Sequence, residues 1–84
     1  MRQNPEDHGY RTVASDEWSI TWEHPRSGHV VVADADESDG SWVVRRGDGG
    51  RLEMVGTRPT RFDAIALAAR VADRGPTGGS DFSF

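Results

Sequence analysis

The 84-residue chain contains no cysteine and no lysine, a single asparagine and two isoleucines. Without a thiol, disulfide scaffolds, cysteine-ligated zinc or iron–sulfur centres and thiol nucleophiles are all excluded. No apolar run approaches the roughly 18 residues that a membrane span requires. The first residues, MRQNPEDHGY, lack the basic-then-apolar order of a secretion signal, so the expected location is cytoplasmic and no membrane partner is expected. Gly-x-Ser-x-Gly is also missing, and no spacing sets a serine with a histidine and a carboxylate in a familiar order.

What is present is acidic, at a net charge of −4. All ten basic residues are arginine, and nine Asp with five Glu oppose them, a pattern matching GC-rich coding and, in mild form, the acid-rich surfaces of halophilic proteins. The charge is unevenly spread: residues 1–42 carry 3 Arg against 9 acids, whereas residues 43–84 carry 7 Arg against 5 acids.

Residues 1–16 are polar, with Tyr10 and Val13 as their apolar anchors, and read as a mostly flexible N-terminal tail, the sequence leaving open whether Tyr10–Val13 adds an edge strand. Residues 76–84 read as a flexible C-terminal tail, ending in Phe82 and Phe84, which suit docking into a groove. Between them, residues 17–75 form one small domain. Trp18, Ile20 and Trp22 alternate with polar residues as in a half-buried strand. After the turn HPRSG, His29–Ala33 returns as a second strand, with either Val30 and Val32 or Val31 and Ala33 inward. The acidic turn DADESDG leads to a third strand, Ser41–Arg46, with Trp42 and Val44 inward. The connector GDGG leads to a fourth, Arg51–Val55, with Leu52 and Met54 inward.

Beyond Gly56 the apolar period lengthens to that of a helix. Pro59, the capping pattern Thr60–Asp63 and the stop signal Gly75–Pro76 bound a helix over Arg61–Arg74. Phe62, Ile65, Ala66, Ala69 and Ala72 are expected to face the sheet. The resulting fold is α+β: a four-stranded, mostly antiparallel meander with one C-terminal helix on one face. Ala64, Leu67, Ala68 and Val71 then form an apolar back, expected to be a homodimer interface.

The stretch Trp42–Gly75, with its Trp-x-Val strand, glycine turn, Thr-rich approach and DAIALAARVADRG helix, resembles small uncharacterised bacterial and archaeal domains, some of them haloarchaeal, built from hairpins and a helix. That resemblance implies the fold and carries no catalytic residue to transfer.

Three clusters bear on chemistry. His24 and His29 flank the first turn beside Glu23, too few ligands for a structural zinc site, so no metal and no cofactor are expected. Asp34, Asp36, Glu37 and Asp39 crowd one turn but fail the calcium-loop pattern, because Asp39 stands where glycine belongs and Arg45 where a bidentate glutamate belongs. Arg45, Arg46, Arg51, Arg58 and Arg61, with Thr57 and Thr60, surround the two later strands and the helix N-terminus as an anion or nucleic-acid surface. The expected function is a non-enzymatic interaction module that forms a homodimer or binds an unidentified protein partner, the alternative being a nucleic-acid or polyanion binder.

Overall fold

The computed structural model describes residues 4–48 and 50–74. A 3-10 turn, η1 (Pro5–His8), precedes five strands, β1 (Arg11–Ser15), β2 (Ser19–Glu23), β3 (Val30–Ala35), β4 (Trp42–Gly47) and β5 (Leu52–Arg58), and one helix, α1 (Arg61–Arg74). The strands form a single antiparallel sheet in chain order, β1-β2-β3-β4-β5. The architecture is thus the expected meander and helix, with five strands in place of four. The added strand, β1, lies in the segment expected to be a tail. The expected C-terminal tail, with Phe82 and Phe84, lies outside the described residues.

Cross-strand partners share a face of an antiparallel sheet, so the register sorts the side chains into rows. The inner rows run Thr12, Trp22, Val31, Arg46, Glu53 and then Ser15, Ile20, Ala33, Val44, Gly56. A third, shorter row holds Ala35, Trp42 and Arg58. Ile20, Trp22, Val31, Ala33, Trp42 and Val44 are buried here in one cluster with Tyr10. Of the two phases open for the second hairpin strand, the structure has Val31 and Ala33 inward.

Helix α1 covers this face and has the bounds expected from its cap. The Asp63 N–H donates to the Thr60 hydroxyl at 3.1 Å, and the Ala64 N–H makes the first helical bond to the Thr60 carbonyl at 3.0 Å. Its rotation differs from the expected one. Ala64, Ala68, Val71 and Ala72 are in the core cluster, with Ile65 and Leu67 packed against it, while Phe62 is 71% exposed. Three of the four residues expected to form a dimer interface therefore face the sheet and are covered. Small residues at i, i+4, i+7 and i+8 let the helix lie close on the sheet, and of the five residues expected inward Ala69 and Ala72 are buried and Ile65 packs against the core. Turn η1 packs along α1, with Pro5 fully buried and His8 Nδ1 3.3 Å from Asp73 Oδ1.

Leu52 and Met54, expected inward, instead lie on the open face, at 41% and 64% exposed. A β-bulge is the cause: Val44 pairs with Gly56 but Arg45 pairs with Met54, so Val55 is the extra residue and the strand changes phase around it. On this open face Arg45 reaches diagonally to Asp34 at 3.2 Å, across the square formed with Val32 and Val43. The arginine stem accompanies their burial, 8% and 9% exposed, on a face that carries no helix among the described residues.

Candidate functional site

The seven residues expected to form an anion or nucleic-acid surface over the two later strands and the helix N-terminus fall at several places in the fold. Arg45 and Thr57 lie on the open face, Arg45 in its pair with Asp34. Arg51 is exposed at the β4–β5 hairpin. The Thr60 hydroxyl accepts the Asp63 cap bond. Arg61 stacks over the Trp42 ring at 5.4 Å and donates from Nη1 to the Asp16 carbonyl at 2.7 Å and the Glu17 carbonyl at 3.2 Å, a clamp between α1 and the approach to β2. Arg46 and Arg51 share a cavity at the β4–β5 hairpin with His29, Asp48 and Glu53, while Arg46 and Arg58 each line one of two adjoining cavities of a groove beside α1.

That groove runs between α1 and β5, and Arg70 and Arg74 complete it. Towards the C-terminal half of the helix, Arg46, Arg70 and Arg74 surround Val55, Leu67 and Val71 in a cavity of about 270 Å³. Towards its N-terminal half, Arg58, Asp63, Ala66, Leu67 and Arg70 line a second cavity of about 310 Å³. Leu67 and Arg70 line both, so the two cavities adjoin. Four arginines line the two cavities, with Asp63 among them and Glu53 opposite Arg46 in register.

The local causes are separable. Arg70 and Arg74 stand one helical turn apart, a like-charged i, i+4 pair that costs about 0.2–0.5 kcal/mol, partly offset by the C-terminal end of the helix dipole. Arg46 occupies the inner row next to Val31, beside the C-terminal half of α1, and faces Glu53 in register. The bulge places Val55 among the arginines. Gly56 keeps the floor open: a Cβ there would stand 3.4 Å from Leu67 Cδ2 and 3.7 Å from Arg58 Nη1. Arg58 itself is held by an Nη1 bond to the Thr57 carbonyl at 2.7 Å. Sequence reasoning left Arg70 and Arg74 out of the expected site; their i, i+4 spacing was the available signal.

β5 is also an edge of the sheet. Its two faces differ, with arginines on the helix side and Leu52 and Met54 on the open side.

The two turn histidines form a different cluster. The Tyr10 hydroxyl and His29 Nδ1 share a buried hydrogen bond of 2.7 Å, and the Tyr10 ring meets the His24 and His29 rings edge-on at 5.2 and 5.9 Å. Burial lowers the His29 pKa, with Arg46 and His24 adding to it and Asp48 opposing; burial raises that of Tyr10, against Arg46. His24 Nδ1 accepts from the Ser27 N–H at 3.4 Å. The acidic turn is similarly engaged, with Asp36 Oδ1 accepting from the Ser38 N–H and hydroxyl and Asp39 Oδ1 from those of Ser41. Among the described residues no three His, Asp or Glu side chains are grouped to hold a metal ion. Among them, too, no helix is long and apolar enough to cross a membrane.

No protein-family model, curated protein or solved structure matches the chain.

Proposed function

We propose that this protein is a cytoplasmic, non-enzymatic interaction module that receives an extended acidic segment of a partner protein along β5. The observation that carries the reading is the convergence of Arg46, Arg58, Arg70 and Arg74 beside an open sheet edge. An edge strand offers outward N–H and C=O groups to an added strand, and pockets on either side select its alternate side chains. Acidic side chains would meet the arginines on the helix side of such a strand. Apolar side chains at the alternating positions would extend the Leu52 and Met54 patch on the open side.

Two features favour an acidic polypeptide over the other expected ligands. A second copy pairing β5 to β5 would set one arginine row against another, at a cost that an acidic partner avoids. A nucleic-acid backbone would satisfy the arginines but leave Leu52 and Met54 unused, and the chain as a whole carries −4.

The test is a binding isotherm with a blocked peptide of alternating glutamate and valine. Arg58→Glu and Arg70→Glu should each weaken binding by roughly tenfold, about 1.4 kcal/mol, and added salt should weaken it further. Equal binding by an alternating lysine–valine peptide, or affinity unmoved by both reversals, would remove the proposal. Preference for a single-stranded oligonucleotide would transfer the groove to nucleic acid, and a doubled molar mass without peptide would transfer β5 to self-association.

A further inference from the structure

At the opposite side of the charge distribution, Trp18, Ala35, Asp36, Glu37, Gly40 and Trp42 line a cavity of about 340 Å³. The Ala35 N–H donates to the Trp18 carbonyl at 2.7 Å, and Ala35 is the register partner of Trp42. Trp18, Ala35 and Trp42 therefore form one row that runs from the residue before β2 across β3 to β4. With about 4.8 Å between neighbouring strands, the two tryptophans are carried on backbones about 10 Å apart. The alanine between them contributes only a methyl group, which leaves the space between the indoles unfilled. Trp42 forms a buried wall at 6% exposed, and Trp18 an open lip at 66% exposed.

From this row and its carboxylate rim, we infer that the cavity is a binding site for an organic cation, a guanidinium or a methylated ammonium group. An aromatic face attracts a cation within about 6 Å of the ring centre, and both indoles line this one cavity. The molecule already contains the same chemistry, since the Arg61 guanidinium lies 5.4 Å from the Trp42 ring centre.

Asp36 and Glu37 supply charge of the sign a cation needs. Asp36 holds its turn through Oδ1, which accepts both Ser38 bonds; these bonds also keep its carboxyl below the usual range, and Arg45 adds to this. Glu37 is exposed. The same rim repels phosphate, so the exposed indole of Trp18 is not a platform for nucleic acid. The site is separate from the β5 groove: the two share no lining residue.

The probes are acetyl-arginine-amide and tetramethylammonium chloride, with acetyl-citrulline-amide as the uncharged counterpart of the first. The readout is the three indole N–H signals in a heteronuclear NMR titration. The arginine derivative, tetramethylammonium or both should shift the Trp18 and Trp42 signals saturably and leave that of the buried Trp22 in place. Response to only one of the two cations assigns the site to guanidinium or to methylated ammonium. Trp18→Ala should weaken the response fivefold or more. So should the pair Asp36→Asn and Glu37→Gln, in which the carboxamide oxygen introduced at position 36 can still accept from Ser38; this pair serves as an independent test if Trp18→Ala disturbs the fold. An equal response to the citrulline derivative, no saturable shift with either cation, or full binding by the carboxamide pair would overturn the inference.

Discussion

At the scale of single residues, the Tyr10–His29 contact joins the start of the chain to the β2–β3 turn and makes the fold sensitive to pH. The imidazole is buried with Arg46 and His24 close by, so its pKa in the folded protein lies below the ordinary 6.5. Between that lowered value and 6.5 the unfolded chain binds more protons than the folded one. The contribution of His29 is therefore complete above 6.5 and declines as the pH falls through the window. Denaturant unfolding from about pH 8 to pH 5 should show stability dropping on the acid side, with His29→Gln flattening that slope. Tyr10→Phe should cost about 1 kcal/mol near neutral pH by removing the buried hydrogen bond. An unchanged slope in His29→Gln would place the pH response elsewhere.

Gly47 illustrates a constraint of another kind. A Cβ at this position would fall on the Arg51 carbonyl, a backbone atom that can move only with the hairpin. Gly47→Ala should therefore open the β4–β5 turn and destabilise the fold, measurable as a lowered denaturation midpoint, while Gly50→Ala has space around it.

At the scale of elements, α1 separates what a sequence can state from what only packing decides. Its bounds were legible because Thr60 and the helical period are local signals. Its rotation was not, because five alanines give the helix apolar character around most of its circumference, and alanine favours neither face strongly. Phe62 misled by size: it stands two residues before the core residue Ala64, on the far side of the helix, and is exposed. Ala68→Glu follows from the observed rotation. A carboxylate at a site with no exposure should destabilise the domain by about 4 kcal/mol or more. Phe62→Glu should remain within about 0.5 kcal/mol of the parent. Equal thermal melts for the two variants would contradict the observed helix face.

β1 was illegible for the opposite reason. All five of its residues are exposed, and the strand is held by its backbone ladder to β2 and an Arg11–Glu23 pair at 3.2 Å. With no buried alternation there is no period to detect. The inversion of Leu52 and Met54 was equally hidden, since a single bulge at Val55 changes which residues share a face. Trp18 had the phase of Trp22 but stands past the helix, so its exposure depends on where α1 begins.

At the scale of the whole molecule, the unequal halves of the sequence become two separate surfaces. The arginine excess after residue 42 gathers between α1 and β5, where Arg46 from the sheet meets Arg70 and Arg74 from the helix. The acidic excess before it includes Asp36 and Glu37 at the tryptophan cavity. The sequence showed the imbalance and placed Arg46 and Arg58 in the right set. It extended that set to the helix N-terminus, where Thr60 is occupied as a cap and Arg61 as a clamp, because the cluster that forms depends on residues 24 to 28 positions apart coming into register.

The central claim is that β5 and its arginine groove form one recognition surface for an acidic strand. The most direct measurement is backbone-amide NMR during titration with the blocked glutamate–valine peptide. Signals of Leu52–Arg58 should shift together with the guanidinium signals of Arg58 and Arg70, and hydrogen exchange of the outward β5 amides should slow as they acquire partners. Silent β5 amides at a saturating peptide concentration, or shifts centred on the other edge at β1, would contradict the account.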